Sequence, residues 1–533
     1  MQERIAEQQK SIAAQQQNIA EDQRRNAITE QKNAELQRAA AIDSGKVAKL
    51  QRDRAIDQKK QADIAKVAAL DSGKVAQLQR DKAVSATHEV ENLRMLSESR
   101  SIAFKSNQLL GDAQKDTLSM QMAFLSYVIN NEYGGSAQNR AIYDALKGQL
   151  NHYYNKVLRY TYGVKINPGN YDFRTAAYIS NNEFFTAGDD GTVKEWQVSN
   201  SPMQINLKKI SRTIAESIYS IDLSPDKKYL LGRLGGGRIV VWNAGNLSAP
   251  PLILSDPALA SAQYATFLPI EGSSTIFIKS DKYAYIYDFT STGFTLKNKY
   301  GLCKVSGDNT SQAGCYKTEK YGVTVYVAQG SSVCALNFNT KAELTGQSAV
   351  FSLNEKISTM AISPNEHLLA IGTDGGSINL YNIAGAKPIF DTRLSKHSSR
   401  VTGLAFTQNE SALASGSLDN SIKVGGWQNL SKSEDLIFQE RKGWIRDIVM
   451  SPDNRYVLAM GQSGVLQLWP LTELTVLQEL TTVANNKKII KSAVKEREME
   501  KEIGDDVYKT LVNKYKSKSF SDFWNKMTNK YIN

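Results

Sequence analysis

The sequence predicts a mainly β fold with a helical N-terminal third: a seven-bladed β-propeller preceded by a long coiled-coil-like helix and a small helical segment, with a short helical C-terminal tail. Three observations lead there. Up to about Val90 the chain has no proline and repeats apolar residues at heptad spacing. Beyond Tyr154, short β-rich runs are broken by Gly, Asp, Asn and Ser. Within those runs a single phrase returns seven times, at intervals of about 45 residues, the period of a four-stranded propeller blade.

Residues 1–91 read as the long helix. Ala, Gln, Lys, Arg, Glu and Asp dominate, a composition that favours an exposed helix. Ile5, Ile12 and Ile19 recur at heptad steps, and Val47 and Leu50 are matched four heptads later by Val75 and Leu78. Such spacing lays the residues in one stripe and asks for a partner helix. Many second core positions are Gln or Ala, so the stripe suits an adaptable coil and a candidate seam for a homo-oligomer. A solvated single helix is the alternative. The segment Asp43–Asp53, DSGKVAKLQRD, returns at Asp71–Asp81 as DSGKVAQLQRD. Its Gly-Lys pair does not make a phosphate loop. Such a loop needs an earlier glycine and a following Ser or Thr between a strand and a helix. Gly45-Lys46 and Gly73-Lys74 precede valine in a helical context. The doubled words mark register, and Gly45 and Gly73 are expected to soften or bend the helix.

Residues 92–154 form the helical segment. SESRSIAFKSNQLL, DTLSMQMAFLSYVINN and SAQNRAIYDALKGQLNHYY carry dense apolar residues at helical spacing, which predicts three short amphipathic helices. Residues 155–473 hold the propeller. Its phrase is a Gly/Asp/Ser turn, a β-branched residue and then an aromatic, as in DDGTVKEWQ at Trp196, GGGRIVVWN at Trp242 and DKYAYIYD at Tyr287. It continues as SSVCALN at Leu336, DGGSINLYN at Tyr381, DNSIKVGGW at Trp427 and SGVLQLWP at Trp469. A second phrase, IDLSPDKKYL, AISPNEHLLA or IVMSPDNRYV, puts Pro225, Pro364 and Pro452 where proline presets φ for a tight turn. NKVLRYTYG, residues 155–163, is strand-like without a blade of its own. It is expected to pair with the strand ending at Trp469 and so remove two open sheet edges. Residues 474–533 form a charged helical tail. Trp524 and Tyr531 are expected to dock it on the propeller or the helical segment, and a free tail is the alternative.

These blade phrases resemble those of WD-repeat β-propellers over residues 155–473. The nearest stretch is HSSRVTGLAFTQNESALASGSLDNSIKVGGW, where His397, Ser415 and Asp419 occupy the places of the family's structural His, Ser and Asp. The resemblance implies that these three hydrogen-bond with a strand tryptophan and hold a blade together. Here the aromatic place is Gly425, with Trp427 displaced by two. A Gln/Ala/Lys-rich coil, a helical segment and a propeller also resemble the C-terminal portion of bacterial STAND-type signalling proteins. In those proteins a nucleoside-triphosphatase and often one membrane helix come first. That resemblance implies a regulatory half acting in trans with such an enzyme, and it fits the abrupt glutamine-rich start MQERIAEQQK.

The residue inventory argues against catalysis. His88, His152, His367 and His397 stand apart without metal-ligand spacing, and Cys303, Cys315 and Cys334 form no CxxC pair. Cys303 and Cys315 are the pair that one loop would bridge in an oxidising compartment; buried or idle thiols are the plainer reading. The glycines of GRLGGGRIVVW fall on a turn between strands, and Asp189–Asp190 and Asp505–Asp506 read as a turn and a solvated helix end. No GxSxG elbow occurs. A non-enzymatic chain without cofactor or metal is expected. The net charge of +11 raises nucleic-acid binding as an alternative. Yet Lys and Arg interleave with Asp and Glu, as in QRDRAIDQKKQADIAK, which reads as solvated helix faces. No apolar run reaches about 18 residues and no signal-peptide core opens the chain. No membrane span and a cytoplasmic location are expected, with a membrane-anchored parent or partner left open.

Surface recognition remains: a protein-interaction scaffold or sensor whose propeller face binds a protein partner and whose coil oligomerises or relays. In the resembled family, partners dock on the face where each innermost strand begins. Phe173, Lys356, Arg400 and Trp444 are placed there on blades 1, 5, 6 and 7, while Tyr219 and Arg446 lie two residues further on in blades 2 and 7. Aromatic residues and arginine are enriched at binding hot spots. Trp444 beside Arg446, with Arg400 on the neighbouring blade, is the expected contact cluster. Burial between blades is the alternative for Phe173 and Trp444.

Overall fold

Seven four-stranded sheets follow one another along the chain in a computed structural model. It describes residues 49–60, 73–112, 114–136, 139–157, 164–165, 171–200, 203–270, 275–303, 311, 313–385, 387–394, 397–425, 436–439, 443–482 and 484–532. They belong to two compact units, Met1–Glu98 and Ser99–Asn533.

In the first unit, α1 (49–60) and α2 (Gly73–Leu109, which runs on into the second unit) carry mostly exposed side chains. Arg54 of α1 pairs with Glu89 of α2 at 3.6 Å. A straight helix would hold these residues about 50 Å apart, so α1 and α2 are not one straight helix. Gly73 is the first described residue of α2. Ile5, Ile12, Ile19, Gly45 and Val47 lie outside the described residues.

The second unit is the propeller with a helical module. Blades 1 to 7 span residues 173–210, 218–254, 264–301, 314–352, 357–393, 401–439 and 445–470. The second strand of a blade is covered on both faces, so Thr275–Lys279 and Leu413–Ser417 are buried throughout. Blade 7 supplies only three strands of its own. Its fourth is Val164–Lys165, paired antiparallel with Leu466 and Val465, which closes the ring. The closing strand thus follows the run expected to provide it. Residues 155–157 of that run end α4 (Arg140–Val157), because the helical spacing of Ile142, Leu146 and Leu150 carries on into them. Residues 158–163 lie outside the described residues.

Neighbouring blades are joined at three depths. Next to the central channel, hydroxyls and carboxylates bridge innermost strands. Thr402 donates to the Ile445 carbonyl at 2.9 Å and Ser358 to the Val401 carbonyl at 2.6 Å. Asp222 accepts the Thr266 hydroxyl and the Phe267 amide at 2.8 and 2.9 Å. Between the sheets, small residues admit the next blade's branched side chains. A Cβ on Gly372 would stand 2.7 Å from Val401, and one on Gly416 would stand 2.8 Å from Ile448. On the opposite face, the turn between the first two strands of four blades puts Lys227, Glu366, Glu410 and Asn454 at left-handed φ of 60°, 61°, 54° and 60°. Each side chain clamps the preceding blade. Lys227 donates to the Ile179 carbonyl (2.8 Å), while Glu366, Glu410 and Asn454 accept the amides of Thr318, Asn365 and Gln408 at 3.0, 2.7 and 2.6 Å.

The helical module combines the end of α2, α3 (Asp116–Glu132), α4 and the tail helices α5 (Glu473–Thr482), α6 (Ala484–Lys491), α7 (Glu496–Ile503), α8 (Asp505–Lys514) and α9 (Phe520–Ile532). Helix α3 is its core, buried from Leu118 to Asn130. Trp524 packs edge-on against Phe124 at 5.3 Å and donates to the Ile490 carbonyl, and Tyr531 meets Tyr127 at 5.5 Å. The tail therefore docks on the helical segment. Blade 7 joins the same module. The Tyr143 hydroxyl donates to the Pro470 carbonyl at 2.9 Å, and Lys147 lies over the Trp469 ring at 4.3 Å. Buried Glu473 accepts the Asn139 amide that begins α4 (2.6 Å) and the Asn130 side chain (3.2 Å).

The cysteines pair otherwise than by nearness in sequence. Cys303 is bonded to Cys334, and Cys315 is a free thiol. Cys315 packs towards blade 5, whereas Cys303 and Cys334 belong to the apolar cluster between blades 3 and 4.

Burial pushes the Glu473 carboxyl up to about 8 although its two hydrogen bonds pull it down. The folded chain therefore keeps a proton that the unfolded chain releases near 4.5. The stability this contributes is full below that value and is lost as pH rises through about 8. Melting temperatures of wild type should fall more steeply between about pH 5 and 8 than those of Glu473→Gln; parallel profiles would refute the assignment. For the clamps, Asn454→Ala should cost about 1–2 kcal/mol in urea unfolding, from the lost bond and the strained φ. Asn454→Gly, which tolerates that φ, should cost less.

Candidate functional site

Strand register decides which side chains reach the channel mouth. Ile445 pairs with Gly461, Ile218 with Leu234, Ile357 with Thr373, Val401 with Ser417 and Phe173 with Gly188. These five residues are equivalent, and all five are buried. Phe173 is thus one step out of line with Trp444, whose true counterpart on blade 1 is Asp172. With 3% of its surface exposed, Phe173 packs against Trp196 (6.3 Å between ring centres) inside the blade and is not part of an exposed face.

The next position carries Arg446, Arg174 and Tyr219 on blades 7, 1 and 2, but Ser358 and Thr402 on blades 5 and 6. Over these five blades the mouth therefore divides into two arcs of different chemistry. On one side Trp444 is 46% exposed, with the Arg446 guanidinium 5.3 Å from its ring centre. Arg446 is held by Asp172 of blade 1 through Nε (3.1 Å) and Nη2 (2.9 Å) to one carboxylate oxygen. Arg174 pairs with Asp189 and stacks 4.3 Å over Tyr219, whose ring also receives Arg233 at 5.2 Å. Arg233 is buried, and burial pulls it down to about 10, with Tyr219 opposing and Arg174 reinforcing the shift. Beneath Arg446, burial pushes the Asp447 carboxyl up to about 7 against the Ile448 amide and the Thr175 hydroxyl. Stacking leaves guanidinium edges for carboxylates and holds the rings in place without immobilising solvent-exposed chains.

On the other arc, Arg400 pairs with Asp374 at 3.3 Å, and the Lys356 carbonyl accepts the Asp374 amide at 2.9 Å. Arg400 is thus drawn towards blade 5 by Asp374. Arg174, Asp172, Asp189 and Arg233 escaped the sequence reading. Their signal lies in the repeat: FRT and IRD occupy one register position in blades 1 and 7.

In blade 6, His397 Nδ1 lies 2.9 Å from Asp419 and Nε2 lies 2.9 Å from the Ser415 hydroxyl. Burial pulls the His397 pKa down although Asp419 opposes it, so the ring is neutral near pH 7. With Nδ1–H donated to Asp419, Nε2 accepts from Ser415. Burial alone would raise the Asp419 carboxyl, but the Ser421 hydroxyl, the Ser398 amide and His397 together bring it down to about 2. Gly425 pairs with Leu413 as Trp196 pairs with Phe184, so glycine occupies the aromatic place, and Trp427 lies outside the described residues. Blade 1 holds the complementary half of the pattern, with Trp196 Nε1 donating to the Thr186 hydroxyl at 2.8 Å.

Among the described residues no group of three or more His, Cys, Asp or Glu side chains is placed to hold a metal, and no helix is long and apolar enough to cross a membrane.

Seven four-stranded blades closed by an upstream strand form a seven-bladed β-propeller, and its partial His–Ser–Asp and Trp–Thr networks are similar to those of WD40 repeats. The family described as Anaphase-promoting complex subunit 4 WD40 domain matches residues 360–431. The chain is similar to APC/C activator protein CDH1 of Saccharomyces cerevisiae, 26% identical over 46% of this chain and 40% of that protein. It is also similar to WD repeat-containing protein srw1 of Schizosaccharomyces pombe, 22% identical over 44% of this chain and 40% of that protein. The chain thus spans about two fifths of the length of these relatives. Among solved structures, the β-propeller domain of Cps50 (Swd1) from Myceliophteria thermophila aligns with 14% identity, covering 58% of this chain and 98% of that one, at a TM-score of 0.47.

Proposed function

We propose that the chain is a non-enzymatic protein-interaction scaffold or sensor, with its partner docking on the propeller face at the arc of Trp444, Arg446, Arg174 and Tyr219. The observation that carries this reading is Trp444. A tryptophan nearly half exposed at the channel mouth is braced by an arginine that Asp172 already holds. Exposed aromatics backed by ordered arginines lose little side-chain freedom on binding, which is why such pairs dominate interface energetics. Similarity to an APC/C activator protein and to a WD repeat-containing protein supports the same reading. Heptad spacing of Ile5, Ile12 and Ile19 supports the coil as the oligomerising or relaying element.

Affinity purification of the full chain tests the face. Partners retained by wild type should be lost, or weakened at least about tenfold, by Trp444→Ala/Arg446→Ala. They should survive Lys356→Ala/Arg400→Ala on the other arc. Both variants should melt near wild type, which separates lost binding from lost folding. An unchanged partner set for the first variant would remove the face from consideration.

A further inference from the structure

We infer that Cys303 and Cys334 form a structural disulfide that staples blade 3 to blade 4, and that the propeller matures and works in an oxidising compartment. This goes beyond the binding face and reverses the cytoplasmic expectation. Cys303 follows the outermost strand of blade 3, Gly293–Gly301, whereas Cys334 stands on the third strand of blade 4, Ser332–Asn339. The bond therefore crosses between blades, closing a loop of 31 residues. It sits within the apolar joint of the two sheets, where Phe277, Ile286 and Leu302 meet Val325, Leu336 and Phe338. Around it, Phe277 packs edge-on against Phe338 at 5.9 Å, the Leu344 amide donates to the Tyr300 hydroxyl at 3.2 Å, and Lys279 donates to the Ser311 carbonyl at 2.9 Å.

The burial of the two sulfur-bearing residues differs, and that sets the chemistry. Cys334 has no exposed surface, whereas Cys303 is half-buried. An external protein or small-molecule disulfide supplies the oxidant. The Cys303 thiolate attacks one of its sulfurs and releases one thiolate. Before blades 3 and 4 close over it, the Cys334 thiolate attacks the Cys303 sulfur of the mixed disulfide and releases the second. Two thiols are oxidised by two electrons, the oxidant is reduced to two thiols, and the two protons end on them. In the reverse direction an incoming thiolate reaches the Cys303 sulfur and must expel a Cys334 thiolate into apolar surroundings. Desolvation disfavours that anion, so reduction is resisted, as in a structural bond. Cys315 does not compete: burial raises its thiol far above the ordinary range, and it packs towards blade 5. Bonds of this kind form and persist outside reducing compartments.

Full-length chain taken from its native cells into acid, then blocked with N-ethylmaleimide under denaturing conditions before reduction, tests the pairing. A linked peptide pair containing Cys303 and Cys334, with Cys315 blocked, is the expected result. Blocking of Cys303 and Cys334 in most molecules overturns the inference. Thermal melting gives a second reading. Reduction with a phosphine should lower the wild-type transition by about 5 °C or more, and should do the same for Cys315→Ser. It should leave Cys303→Ser/Cys334→Ser unmoved. A wild type that melts unchanged after alkylation has shown Cys303 and Cys334 to be reduced, or a double variant as sensitive as wild type, also overturns it.

Discussion

A ring of sheets depends on its closure. Blades 1 to 6 each complete four strands from their own sequence, but blade 7 has three until Val164–Lys165 joins Leu466 and Val465. That short ladder removes two open edges and makes every blade flanked on both sides. The rest follows from it. Buried second strands, glycine at Gly372 and Gly416, and the hydroxyl bonds of Thr402 and Ser358 are useful only if a neighbouring blade is always present.

The same geometry sorts the channel mouth. One register position is put to two uses across blades 7, 1, 2, 5 and 6. Where it holds Ser358 or Thr402, the side chain joins the next blade and the mouth is small and polar. Where it holds Arg446, Arg174 or Tyr219, the joint is made instead by carboxylates and ring stacking, and large, partly buried side chains line the mouth. Guanidinium and aromatic side chains are thus concentrated over blades 7, 1 and 2, beside the seam where the ring closes.

Much of this architecture was legible because it repeats. The turn phrases and the β-branched–aromatic phrases mark seven blades, and the proline turns fall where strands reverse. The shift by one at Phe173 was hidden, since no proline turn marks blade 1 and only the ladder aligns Asp172 with Trp444. The run before blade 1 reads as a strand, yet its first three residues end α4. Arg174 could be matched to Arg446 only through register, and its partner Asp189 looked like an ordinary turn residue. Cysteine pairing was illegible for a similar reason: which face of a strand a residue occupies decides its partner, not distance along the chain.

The turn clamps have a direction, and direction matters during synthesis. Lys227, Glu366, Glu410 and Asn454 each reach back to the preceding blade, which has already left the ribosome when the clamp residue appears. Each new blade can therefore be secured as it emerges. The closing strand has the opposite fate. Val164–Lys165 is made before any blade, but its partner strand, Val465–Pro470, comes about 300 residues later, a wait of about 15–60 s at ordinary elongation rates. Through that interval the clamps let a growing arc hold its curvature, with one unsatisfied edge at each end, until the last blade arrives to meet the first strand.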